Sequence, residues 1–193
     1  MHTYTARIVR VVVCTFVVLL AVAARSQAES IQRIRTTSSL IHAALAGASE
    51  KSPTLRAIVE RIAQSNVIVY VTCEQFKTVT ISGRTMWADA SGEARYLRVQ
   101  VDCTLARANL VAILGHELQH VAEVADRPDV IDLPTFLKLF EAIGYPSCST
   151  SWHEQFETDD ARAAGQRVRE EFLHGWPIGA RLVTDARRGV PVE

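Results

Sequence analysis

Hydrophobic positions recur along this chain with two different periods, and the switches between them mark out its elements. From Ile31 to Ala46, and again from Pro53 to Gln64, apolar side chains fall three and four apart, the spacing of one helix face. Ser52 suits the N-cap of the second helix and Pro53 its first position; Leu55, Ile58, Val59 and Ile62 form its stripe, and Ser65-Asn66 ends it. Three runs rich in β-branched residues follow, Val67 to Cys73, Val79 to Ala88 and Glu93 to Asp102, and predict strands. Asp89-Ala90-Ser91-Gly92 reads as the hairpin turn between the last two, so a small, mostly antiparallel sheet is expected. Helical spacing then resumes. A strongly apolar helix is predicted from a cap at Thr104 to a stop at Arg127-Pro128, another over Pro134 to Ile143 closed by Gly144, and a long one over Ser151 to His174 ended by Gly175-Trp176-Pro177. The tail after Pro177 reads as irregular. Helices packed on a small sheet give an α+β fold.

The first 28 residues change the picture of where the chain resides. Arg7 and Arg10 precede an apolar run from Val11 to Ala24, and Ser26-Gln27-Ala28 follows as a small-residue cleavage site, the layout of a secretory signal peptide. The run is shorter than the roughly 18 to 20 residues of a membrane-spanning helix. A secreted or periplasmic chain starting near Glu29 is expected, with an uncleaved anchor as the alternative, and residues 29–193 suit a single domain. Cys14 lies inside the apolar run and leaves with it. Cys73, Cys103 and Cys148 remain, an odd number in a compartment that permits disulfides. Cys73 and Cys103 each end a predicted strand, which makes them the first choice for a bridge, with Cys148 paired to either as the alternative. Lys and Arg total 21 and Asp and Glu total 21, so no basic stripe exists to hold nucleic acid or an anionic membrane.

Within the apolar helix lies His116-Glu117-Leu118-Gln119-His120. Residues four apart on a helix differ by about 40° in direction and about 6 Å in height, so both imidazoles can reach one zinc ion. Glu117 then stands beside the ion without binding it, placed to take a proton from a water that the metal has acidified and to pass it to a leaving amine. Burying two histidines and a glutamate in so apolar a helix costs several kcal/mol unless they are paired, and a metal ion is a common partner for them. Histidines satisfied within a polar core, without metal, are the alternative.

From Thr104 to Val168 the chain resembles the gluzincin class of zincin metallopeptidases, on the pentad and on Phe156-Glu157-Thr158-Asp159-Asp160-Ala161-Arg162-Ala163-Ala164-Gly165. It also looks like small secreted proteins with the same His-Glu-Leu-x-His and Glu-Thr-x-x-Ala pattern. The resemblance implies one zinc ion, peptide-bond hydrolysis of a peptide or protein substrate, and a third ligand from a later helix, Glu157. Helical geometry leads to the same ligand. Glu123 occupies the place of the glycine that metzincins use to turn back to the metal, so the helix continues and Asp126 points about 240° away from His120. Glu123 lies one turn too far along for ligation and suits a hydrogen bond to an imidazole. Ala161, Ala164 and Gly165 beside Glu157 would let the two helices approach closely. Gluzincins often carry an aspartate one turn after the ligand to orient a histidine; the family spacing falls on Ala161 here, which leaves Asp160 as the better guess.

Candidates for the group that stabilises the oxyanion are Tyr145, His153 and His174, and Glu93 to Asp102 is the candidate edge strand for an extended substrate. An inactive zincin-like module that holds zinc and binds a partner is the alternative function. The retained Glu117 weighs against it, because a structural zinc needs no such carboxylate and favours cysteine ligands.

Overall fold

The computed structural model describes residues 33–76, 81–150 and 153–175, with the backbone alone described at 147–150 and 153–155. The expected signal peptide, the first residues of the first helix and of the second strand, the side chains of Cys148 and His153, and the tail after Pro177 lie outside the described residues. Eleven elements follow in order: β1 (Ile34–Arg35), α1 (Ser39–Lys51), α2 (Pro53–Ala63), β2 (Val67–Cys73), β3 (Gly83–Ser91), β4 (Ala94–Val101), α3 (Arg107–Ala125), α4 (Leu133–Ile143), β5 (Tyr145–Thr150), β6 (His153–Glu157) and α5 (Asp159–His174). The fold is α+β, with a four-stranded sheet in the order β1-β2-β4-β3 and a separate β5-β6 hairpin. Among the described residues no helix is long and apolar enough to cross a membrane.

The larger sheet is mixed, which alternation along the chain did not announce. β4 runs parallel to β2, β1 runs parallel to β2 as well, and only the β3-β4 hairpin is antiparallel. Burial explains the order. The inward positions of β2 and β4 are Val67, Val69, Val71, Leu97, Val99 and Val101, all fully buried, whereas β3 offers Gly83, Thr85 and Trp87, none of which is fully buried. The two strands with the most apolar surface to hide take the centre, and the weaker one takes the edge. The expected edge strand Glu93 to Asp102 is therefore an interior strand, and among the described residues β3 and the short β1 are the edges. The hairpin turn is also shorter than expected: Asp89, Ala90 and Ser91 remain paired in β3, and Gly92-Glu93 make the turn, with Gly92 at φ 60°.

Helix boundaries differ from those expected where the capping residues differ. The first helix begins at Ser39, because the Ser38 hydroxyl accepts the Ile41 N–H and Ile34–Arg35 join the sheet. The helix α3 starts at Arg107 rather than after Thr104, whose hydroxyl and N–H are instead held by the Asp102 carboxylate. The largest change lies downstream. Of the predicted long helix from Ser151, residues His153–Glu157 are a strand, and α5 begins only after Thr158, whose side chain accepts the Ala161 N–H. Thr158-Asp159-Asp160 is a cap followed by two acidic residues, a helix start that outweighs the helical spacing upstream.

The sheet holds α3 at both ends. Near its start, the Cys73–Cys103 disulfide ties the end of β2 to the segment entering the helix, with Cα atoms 5.4 Å apart. At its end Arg95 of β4, 4% exposed, donates from its guanidinium to the carbonyls of Val124, Ala125, Arg127 and Val130 and to Asn66 Oδ1. Those donors satisfy carbonyls that a helix end leaves without partners. Burial lowers the Arg95 pKa, with the charge of Asp129 opposing. On the other side α5 crosses α3 at close range. A Cβ on Gly115 would stand 2.8 Å from Val168 Cγ2, and one on Gly165 would stand 3.1 Å from both the Ala112 carbonyl oxygen and His116 Cβ.

Closure of the loop between Cys73 and Cys103 restrains the unfolded chain, so reduction is expected to lower unfolding free energy by about 3 to 4 kcal/mol. Urea unfolding with and without reductant measures it; an unchanged midpoint would show that the bridge contributes nothing.

Candidate metal centre

Three side chains from two elements converge on one spot. His116 and His120 leave the same face of α3 one turn apart, and Glu157 reaches them from the last position of β6, immediately before the cap of α5. Glu157 Oε1 lies 3.4 Å from His116 Nε2 and 3.7 Å from His120 Nε2, and all three ligand atoms fall within 4.8 Å of one another. A zinc ion with ligand bonds of about 2.0 to 2.1 Å in tetrahedral array separates its ligand atoms by about 3.3 Å. The donor set and its spacing thus fit such an ion, and the small side chains expected beside Glu157 are what let α5 lie against His116. Glu157 itself is a strand residue, not a helical one as expected from the sequence.

Burial and neighbouring charge push the two histidines in opposite directions. Burial holds His116 down at about 4, with the charges of His120 and Arg162 acting the same way and Glu123 opposing. His116 is therefore neutral near pH 7, as a ligand must be. Burial also lowers His120, but the Glu123 hydrogen bond and the charges of Glu117, Glu123 and Glu157 outweigh it and leave the pKa above its usual value. Glu157 is raised by burial, against the Thr158 N–H and the charges of His120 and Arg162.

Around the triad the structure sorts the remaining candidates. Glu123 Oε2 lies 3.0 Å from His120 Nδ1. Asp160 is exposed on the first turn of α5 and makes no hydrogen bond to either imidazole among the described residues. Asp126 caps the far end of α3 and forms an ion pair with Arg61. His174 closes α5 about 24 Å along the helix from Thr158, too far to serve the triad. His153 pairs with Thr150 at the turn end of the hairpin, whereas Glu157 is at its other end. Tyr145 sits directly opposite Glu157 in that hairpin, its hydroxyl 3.5 Å from Asp159 Oδ1 and its ring beneath the Arg162 guanidinium.

Four further residues shape the site, and three of them, Thr85, Gly83 and Phe140, belong to no sequence motif. Thr85 on β3 donates to Glu117 Oε2 at 2.7 Å. Gly83, two residues earlier, leaves room for that carboxylate, since a Cβ there would stand 2.5 Å from Glu117 Oε1. Phe140 of α4 packs edge-on against His120, with ring centroids 5.4 Å apart. Thr158 donates to Glu123 Oε1 at 2.8 Å. Only Thr158 carried a readable signal, the helix start that follows it; the others depend on which strand becomes the edge and on where α4 returns. Glu117 is 4% exposed, and burial pushes its pKa up to about 7 against the His120 charge and the Thr85 hydrogen bond.

No protein family, curated protein or solved structure matches the chain.

Between about pH 4.5 and 7 the metal-free folded chain keeps a proton on Glu117 that the unfolded chain has released, so this group's contribution to stability falls as pH rises. Glu117→Gln does not titrate. Its stability relative to the native chain is expected to increase from about pH 5 to about pH 8, with a ceiling of about 3 kcal/mol. Urea unfolding in the presence of chelator at the two pH values measures the change, and a pH-independent difference would contradict it.

Proposed function

We propose that His116, His120 and Glu157 hold one zinc ion and that the protein hydrolyses peptide bonds in a peptide or protein substrate, as a minimal zincin-type metallopeptidase. The observation that carries this reading is the convergence of two imidazoles and a carboxylate, from distant parts of the sequence, beside a buried glutamate that is free of ligand duty. Bound there, zinc would supply Lewis acidity to a scissile carbonyl and lower the pKa of a water to about 7. Glu117 would be the residue that holds a proton taken from an attacking water and returns it to the departing amine; in the metal-free chain its carboxyl already has a pKa of about 7, which suits a group that both accepts and donates.

Substrate alignment falls to β3. Its outer edge is unpaired among the described strands, and Thr85 within it touches Glu117. An extended peptide adding to that edge would lie along the buried carboxylate, with backbone hydrogen bonds supplying the register. Of the three oxyanion candidates, Tyr145 is the one placed on the same hairpin end as Glu157.

With unfolded protein and peptide libraries as substrates, the chain from residue 29 onward is expected to cleave, to lose activity in chelator and to regain it with zinc. Glu117→Gln is expected to keep stoichiometric zinc and lose activity by about 10²- to 10⁴-fold. Zinc bound with no cleavage by either version would instead favour a zinc-holding interaction module, and absence of bound zinc would remove both readings.

A further inference from the structure

The carboxylate that meets His120 does not come from the element that carries the third ligand. Glu123 lies on α3, three residues after His120, and its two oxygens face different ways: Oε2 is 3.0 Å from His120 Nδ1 and Oε1 accepts the Thr158 hydroxyl at 2.8 Å. Thr158 in turn accepts the Ala161 N–H at 3.1 Å, and its own N–H donates to Glu157 Oε1 at 2.9 Å. Thr158, Glu123 and His120 are all buried, at 3%, 8% and 5% exposure. A hydroxyl has a single proton, and an ionised carboxylate only accepts, so the Thr158 proton is committed to Glu123 and the oxygen lone pair to the helix N–H. The same logic runs onward: Glu123 Oε2 accepts a hydrogen bond from the His120 Nδ1–H, which leaves the Nε2 lone pair facing Glu157 and His116.

We infer that Thr158 is a positioning residue for the metal centre: its hydroxyl locks Glu123 and fixes His120 as a ligand through Nε2, while its N–H steadies Glu157. One residue thereby joins two of the three ligands, and it does so from the cap of the helix that packs on the other. This rests on the metal reading above. A cap alone would be served equally by serine, aspartate or asparagine; the lock needs a hydroxyl proton aimed at Glu123, which aspartate lacks.

The test is zinc affinity, measured by competition with a chromophoric chelator on the folded chain from residue 29 onward, for the native protein, Thr158→Ser, Thr158→Val, Glu123→Gln and the double variant Thr158→Val with Glu123→Gln. Thr158→Ser is expected to bind as the native chain does, within about twofold. Thr158→Val and Glu123→Gln are each expected to weaken binding by about 10- to 100-fold. The double variant is expected to be no worse than Glu123→Gln alone by more than about twofold, because both changes break one path. Full additivity would overturn the inference and leave Thr158 as a helix cap. Glu123→Gln leaves that cap intact, so native affinity in this variant overturns the inference even if Thr158→Val fails to fold. A native chain that binds no zinc removes the metal reading as well, whereas native binding with Thr158→Val unchanged removes this inference alone.

Discussion

Everything at the centre of this molecule depends on how closely α5 can lie against α3. The contact is made through glycine on both sides: Gly115 beneath Val168, and Gly165 above Ala112 and His116. Interiors packed at crystal-like density respond to a single added methyl group. At Gly165 that methyl group would press on the Cβ of His116 itself. The separation of the two helices thus also fixes where Glu157, just ahead of α5, can stand relative to the imidazoles.

Around that contact the core accommodates an expensive group of side chains. Glu117, Gln119, His120, Glu123, Thr158 and Glu171 are all buried. Buried polar groups are tolerated when paired, and among the described residues no buried side-chain nitrogen or oxygen lacks a partner. Glu171 illustrates a purely structural solution, since its carboxylate takes the hydroxyls of Ser52 and Thr54 and the Thr54 N–H at the start of α2. The cluster on α3 differs, because two imidazoles and a glutamate share one face and one carboxylate. Shifted groups gathered in this way are the arrangement that the proposed metal centre would use.

Much of this was legible in the sequence because it rests on short-range patterns. The pentad, its helix and the small residues after Glu157 follow from spacing or residue type, and strand ends made Cys73–Cys103 the first choice for the bridge that the structure shows, ahead of a pairing with Cys148. What stayed hidden depends on long-range competition. Nothing local decides that β4 displaces β3 from the sheet centre, and so nothing local places Thr85 and Gly83 against Glu117. A helix over Ser151 to His174 overlooks that Thr158 and the two aspartates after it are themselves a helix start, which leaves residues 153–157 to the strand. Glu157 thus sits on a strand but keeps the neighbours expected of it, because a residue just before a helix cap and a residue in the first turn lie close together. Arg95 was invisible for a related reason: an arginine in a strand shows no sign that it will end up beneath the last turn of another element.

The most direct measurement of the central claim is the zinc content of the purified chain, by elemental analysis after dialysis against a weak chelator, compared with Glu157→Ala. Joint ligation by two imidazoles and one carboxylate predicts one ion per native chain and a far lower occupancy in the variant. A native chain that carries no stoichiometric metal, or a variant that keeps all of it, would contradict the account.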